Sequence, residues 1–235
     1  MSTQDQYFEV LCRIKAACER SGRDPKEVTL IAVSKTKPEE EILTVYEAGC
    51  RTFGENRVQE MCQKAADLPS DIRWHLIGHL QQNKVKHAVS TAVMIHSVDS
   101  VKLAQAISKE AVKKDRIIDI LVEVNAAEEE SKFGISAGDV ESFLREISPL
   151  PGICVKGLMT VAPFVADPEE NRAVFREMKQ ISVDVNQKKI DNIYLSELSM
   201  GMTNDFEVAV EEGATIVRVG TAIFGERNYV ITGEK

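Results

Sequence analysis

Short apolar, β-branched runs alternate along this chain with stretches whose apolar residues keep helical spacing, and no other feature limits the fold as tightly. The first run, VTLIAVS, spans residues 28–34. Further strands are predicted near 51–53, 73–77, 93–98 (VMIHSV), 117–124 (IIDILVEV), 153–161 (ICVKGLMTV), 193–198 (IYLSEL) and 215–219 (TIVRV). Strands separated by helices imply a parallel sheet, and eight such units in 235 residues predict an α/β fold of the closed (β/α)8 TIM-barrel type. A doubly wound open sheet is the competing arrangement.

The helical stretches carry their own signals. Tyr7, Val10, Leu11, Ile14, Ala17 and Cys18 recur at helical spacing ahead of the first strand and predict an additional N-terminal helix, ended by SGRDP. Pro38 with three following glutamates opens another helix, since proline suits a first turn and acids favour its positive end. Asp167-Pro-Glu-Glu supplies a cap for a helix with Val174, Phe175, Met178, Ile181 and Val185 on one face. No linker, low-complexity run or break in composition divides the chain, so residues 1–235 are expected to form one domain.

Charge and cysteine usage narrow the function classes. With 29 Lys and Arg against 37 Asp and Glu, the formal charge of −8 works against nucleic acid or an anionic membrane as partner. No apolar run approaches the roughly 20 residues that span a bilayer, and MSTQDQYFEV lacks the basic start and apolar run of a signal peptide. Cysteines 12, 18, 50, 62 and 154 are odd in number and without a CxxC pair, which reads as reduced thiols in the cytoplasm, with neither a disulfide framework nor a zinc site.

In a barrel of this type chemistry sits where strands end. Those positions hold Ser34-Lys35-Thr36-Lys37, Gly54-Glu55-Asn56-Arg57, Gly78-His79, Glu123-Val124-Asn125, Met159-Thr160, Ser199-Met200-Gly201-Met202, and Arg218 with Gly220-Thr221. The glycines and hydroxyls of the last two loops are what a phosphate needs: close backbone N–H groups and side-chain donors. Lys35 follows an apolar strand directly, so its stem should enter the barrel mouth, where a desolvated amine is free to attack a carbonyl. Taken singly, Gly201 and Gly220 read equally well as turn glycines. His75 and His79 would converge on a metal only in a helix, and RWHLIGHL reads as strand then loop, so no metal site is expected. Glu128 to Glu130 reads as a solvated charge run. A reactive lysine opposite a phosphate site suggests pyridoxal 5'-phosphate (PLP), although aldolases and sugar-phosphate isomerases place the same pair in this fold.

The stretches AVSKTKP (32–38), FGENRVQE (53–60), WHLIGHLQQNK (74–84), EVN (123–125) with ESKFGI (130–135), GLMT (157–160), LSMGMTNDFEVAVEEGAT (198–215) and VRVGTAIFGER (217–227) resemble the PLP homeostasis protein family, stand-alone relatives of the alanine racemase barrel domain. The resemblance implies that Lys35 holds PLP as a Schiff base and that Asn56 lies near its ring. It implies further that Ser199, Met200, Gly220 and Thr221 bind the phosphate and that Arg218 faces the pyridine nitrogen. Ala126-Ala127 and Thr203 depart from the family's usual Ser-Gly and Ser.

The resemblance also implies a function in vitamin B6 homeostasis: a cytoplasmic monomer or weak dimer that stores PLP or delivers it to PLP-dependent apo-enzymes, without efficient catalysis and with no catalytic residue of its own. An amino-acid racemase is the rival. Alanine racemases draw their second acid/base group, a tyrosine, from an extra β-domain of the partner, and this chain is expected to lack that domain. None of its four tyrosines sits at a strand end in these motifs, and Tyr194 falls within the seventh predicted strand. Arg218, a fixed cation beside the ring, would disfavour pyridine protonation and weaken the electron sink. A Schiff-base aldolase survives only if the resemblance is set aside.

Overall fold

A computed structural model describes residues 1–127, 129 and 133–226, so Glu128 and Glu130 of the acidic run lie outside the described residues. Among the described residues there are nine parallel strands: β1 (Thr29–Val33), β2 (Thr52–Glu55), β3 (Arg73–Leu76), β4 (Met94–Val98), β5 (Ile118–Asn125), β6 (Ile135–Ser136), β7 (Ile153–Met159), β8 (Glu197–Ser199) and β9 (Ile216–Val219). Eight of them run β4-β3-β2-β1-β9-β8-β7-β5, and pairing of β4 with β5 closes the ring. The two-residue β6 adds only to the end of β5. This is the expected (β/α)8 barrel.

The helices are α1 (Thr3–Ser21), α2 (Glu39–Glu47), α3 (Val58–Asp67), α4 (Val85–Thr91), α5 (Val101–Lys113), α6 (Val140–Ile147), α7 (Arg172–Gln187), α8 (Phe206–Glu211) and α9 (Thr221–Phe224). The N-terminal helix α1 begins at a capping box in which Ser2 and Asp5 satisfy each other's backbone N–H, and it ends at Gly22 in the left-handed conformation. Its buried face of Tyr7, Val10, Ile14, Ala17 and Cys18 packs beside α8 and α9. Pro38 stands at the N-cap of α2, and Asp167 caps a 3-10 turn (Pro168–Asn171) that feeds α7. No helix among the described residues is long and apolar enough to cross a membrane.

The predicted strand at 193–198 is shorter and later than expected. Leu195 donates its N–H to Asn186 Oδ1, and its carbonyl accepts from Ser182 and Asn186, so hydrogen bonds from α7 replace a sheet ladder there. Tyr194 therefore lies before β8 in an exposed loop, not inside a strand.

Period-two alternation sends one set of side chains outward and the other into the barrel. Phe53, Trp74, Leu76 and Ile95 face the helices and join the main apolar core. Ile31, Val33, Met94, Leu121, Met159 and Ile216 form a separate small cluster inside the ring.

Candidate functional site

At the C-terminal ends of the strands lies a cavity of about 470 Å³. Lys35, Asn56 and Arg218 contribute its polar wall, and Thr203, Gly220 and Thr221 line a second part of it. Val33, Ile77, Val161, Pro163 and Phe164 supply apolar surface. Such a site has the build of a small-molecule pocket, mostly apolar with a few convergent polar groups.

Lys35 sits on a turn that is clamped from behind. Thr36 has φ of 63°, a left-handed conformation that costs a non-glycine residue roughly 1 kcal/mol. Its N–H donates to Glu60 Oε1 at 2.6 Å, while Ser34 Oγ donates to Glu55 Oε1 at 2.6 Å. Lys64 Nζ closes the clamp by donating to the Ser34 carbonyl, Glu55 and Glu60 at 2.7 to 2.8 Å. Burial pushes the Glu55 carboxyl up, and Lys64 opposes that shift. This ion pair is costly to desolvate, and its return is a rigid platform for the lysine.

Asn56 follows β2, and its buried Oδ1 has no partner among the described residues. Gly78 makes room beside it, since a Cβ there would come within 2.5 Å of the Asn56 carbonyl oxygen.

Arg218 projects inward from β9 and is almost fully buried. Its guanidinium donates to Ser199 Oγ at 2.7 Å and to the Thr160 carbonyl at 2.8 Å. Burial pushes its pKa down to about 10, with Glu123 and Asp205 opposing through space, so the group stays cationic at neutral pH. Glu123 is pushed up to about 7 by burial and by Asp99, against Arg218.

The loop after β8 is shaped by Gly201, at φ of 89°, where a Cβ would approach Ala209 Cβ to 2.5 Å. Asp205 ties the loop down by accepting from the Met202 N–H and from Asn171 Nδ2, both at 2.7 Å. Thr203 is thereby presented to the cavity beside Gly220, and its hydroxyl accepts from the Ala222 N–H at 3.4 Å. Gly220 turns the chain into α9, whose start has no side-chain cap.

Of the seven residues singled out in the sequence, five line the cavity: Lys35, Asn56, Arg218, Gly220 and Thr221. Ser199 and Met200 do not. Ser199 points into the barrel, where its hydroxyl is engaged by Arg218 and by His96 Nδ1 at 2.9 Å. Met200 gives its N–H to the Ile216 carbonyl and buries its side chain in the outer core. Ser199 lies below the lining because a strand's last residue still belongs to the barrel wall, and Met200, just past β8, is buried in the outer core. Thr203, Asp205 and Phe164 were missed, and a count of loop residues past the strand end would have reached them. His75 and His79 diverge as the strand-then-loop reading predicts: His75 pairs with His96, and His79 stacks on Phe133 with Asp99 at 3.4 Å.

Comparison with known proteins places this geometry. The alanine racemase N-terminal domain matches residues 11–228. The chain is 44% identical to the pyridoxal phosphate homeostasis protein of Aquifex aeolicus over 97% of its own length and all of that protein's. It is 38% identical to PipY of Synechococcus elongatus, solved with PLP bound, with a TM-score of 0.79 over 91% of this chain and all of that one. Alanine racemase from Corynebacterium glutamicum, 14% identical with a TM-score of 0.71 over 95% of this chain and 62% of that one, shares the fold.

Proposed function

The chain belongs to the pyridoxal phosphate homeostasis proteins within the alanine racemase N-terminal domain family, and on that premise we propose that it binds PLP in the cavity at the strand ends, through Lys35, and stores or delivers it without efficient catalysis. One observation carries this reading: a single cavity joins an amine, a buried cation, an unpartnered amide oxygen and a loop pair rich in hydroxyls and backbone N–H groups.

The residues present fit the group. PLP combines an aldehyde, a hydroxylated pyridine ring and a phosphate. Lys35 is the amine for the aldehyde. Asn56 Oδ1 is a buried acceptor awaiting a donor. Thr203, Thr221 and the backbone from Gly220 into α9 offer the phosphate hydroxyl and N–H donors, which replaces Ser199 and Met200 in that role. When bound, the group supplies an electrophilic carbon and an electron-withdrawing ring.

The chain's own side chains hold more than they transform. Arg218 keeps a positive charge at the cavity floor, which disfavours protonation of a ring nitrogen beside it and leaves that nitrogen to accept a hydrogen bond. Two-base chemistry needs an acid/base group on each face of a bound amino acid. Besides Lys35, the titratable lining groups among the described residues are Arg218 and Asp205, and the Asp205 carboxylate is occupied by the Met202 N–H and Asn171. No tyrosine is among the described lining residues.

Titration with PLP and with pyridoxal tests the phosphate side. Losing two or three charge-assisted hydrogen bonds should weaken pyridoxal by roughly a hundredfold or more. Near-equal affinities would remove the phosphate from the Thr203 and Gly220 loops and sink the reading.

A further inference from the structure

Beneath the cavity, a chain of buried polar side chains runs across the barrel from Arg218, and its members beyond Arg218 take no part in the binding just described. Arg218 Nη1 lies 2.7 Å from Ser199 Oγ, Ser199 Oγ 2.9 Å from His96 Nδ1, and His96 Nε2 2.8 Å from His75 Nδ1. Ser199 and His96 have no exposed surface, and His75 is 3% exposed. Three strands besides β9 contribute one residue each: β8, β4 and β3. The far end is open, because His75 Nε2 has no partner among the described residues.

We propose that Ser199, His96 and His75 form a one-directional hydrogen-bond chain that positions Arg218 for the ring nitrogen of the bound ligand. The direction follows from counting the polar groups each order leaves unsatisfied. Arg218 only donates, so Ser199 Oγ must accept from it. The one hydroxyl proton of Ser199 then goes to His96 Nδ1, His96 donates from Nε2 to His75 Nδ1, and His75 carries its proton on Nε2. This order leaves one polar proton without a partner. In the reverse order Ser199 Oγ accepts from both Arg218 and His96, the hydroxyl proton is left without an acceptor, and the buried His75 Nε2 becomes a lone pair without a donor, so two groups go unsatisfied instead of one. The forward order also turns the negative end of each dipole toward the guanidinium, so the buried cation selects it.

Both rings are neutral in this arrangement. Burial holds His75 down at about 3, with Arg73 adding to it, and holds His96 well below the ordinary histidine range, with His75 and Arg218 adding to that. The carboxylates that act on this region, Glu123 and Asp205, act on Arg218. The Thr160 carbonyl holds one nitrogen of the guanidinium and the chain holds another, which restrains its orientation at the cavity. The role as a positioning device rests on the proposed function; the direction of the chain does not.

Nitrogen-15 NMR of the histidines in the whole protein tests the direction, and binding tests the role. His96 and His75 should both carry the proton on Nε2 and show no titration between pH 5 and 8. A His96 protonated on Nδ1, or either ring titrating in that range, would overturn the chain. For the role, PLP is compared with an analogue in which carbon replaces the ring nitrogen. Wild-type protein should favour PLP by about tenfold, the worth of one well-aimed hydrogen bond from a charged donor. Ser199→Ala and His96→Leu should narrow that preference severalfold, and His96→Asn, whose amide oxygen replaces Nδ1 as acceptor, should restore most of it. A purely structural role would weaken both ligands alike and leave the ratio unchanged, which would refute positioning. Should His96→Leu fail to fold, Ser199→Ala carries the same comparison. Failure of the wild-type protein to bind PLP would overturn the proposed function, whereas normal binding with unchanged ratios in the variants would overturn this inference alone.

Discussion

The strands of the barrel are buried on both faces, and the two faces are built differently. Outward, toward the helices, lies a continuous apolar core whose largest fully buried members include Phe53, Phe175, Phe206, Ile42, Met61 and Ile107. Inward there are six apolar residues in one small cluster, and around them His75, His96, Ser199, Glu123 and Arg218. Apolar burial stabilises at about 25 cal/mol per Å², so the jacket supplies most of the driving force. The interior spends some of it on buried charge and hydrogen bonds. In this barrel the fold is held from outside and the site is held from within.

The largest effect should come from breaking the jacket. Phe53 is fully buried against Trp74, with ring centroids 5.9 Å apart. Phe53→Ala should cost about 3–5 kcal/mol in urea unfolding, while the folded fraction binds PLP as wild type does. A loss below about 1 kcal/mol, or a changed affinity, would erase the distinction between the two faces.

The interior should reveal itself through pH. The folded-state values of His75 and His96 lie below that of a free imidazole, so the unfolded chain binds more protons below about pH 6.5. Their contribution is complete above that pH and is lost as the pH falls. Glu123 has the opposite sign: its value is raised to about 7, so its contribution is complete below about pH 4.5 and is lost as the pH rises through 7. Between pH 6.5 and 5 the two imidazoles work against the raised carboxyls of Glu123 and Glu55 and outweigh them, so stability should fall as the pH falls. Glu123→Gln should steepen that fall and His75→Gln should flatten it. A wild-type profile that is level from pH 5 to 6.5 would contradict the buried neutral pair.

Legibility in the sequence divides along the same line. The jacket was readable because apolar periodicity is local: VTLIAVS, VMIHSV and IIDILVEV announce strands, and Asp167-Pro announces the turn into α7. Lys35, Asn56, Arg218, Gly220 and Thr221 were readable as strand-end positions in recognisable motifs. Ser199 and Met200 do not line the cavity, because the motif gives neighbours in sequence, whereas depth in the barrel depends on where β8 stops. The pairing of His75 with His96 was out of reach. It joins residues 21 positions apart on adjacent strands, and only their shared inward alternation hints at it.

The smallest effect on the fold should accompany the most direct test of function. Lys35 is partly exposed at the cavity edge, so Lys35→Ala should change stability by no more than about 0.5 kcal/mol. The decisive measurement is borohydride reduction of the PLP-loaded protein followed by peptide mass spectrometry. The account predicts a stable adduct on the Lys35 peptide of the wild-type protein and none in Lys35→Ala. An adduct on another lysine, with Lys35 unmodified, would contradict it.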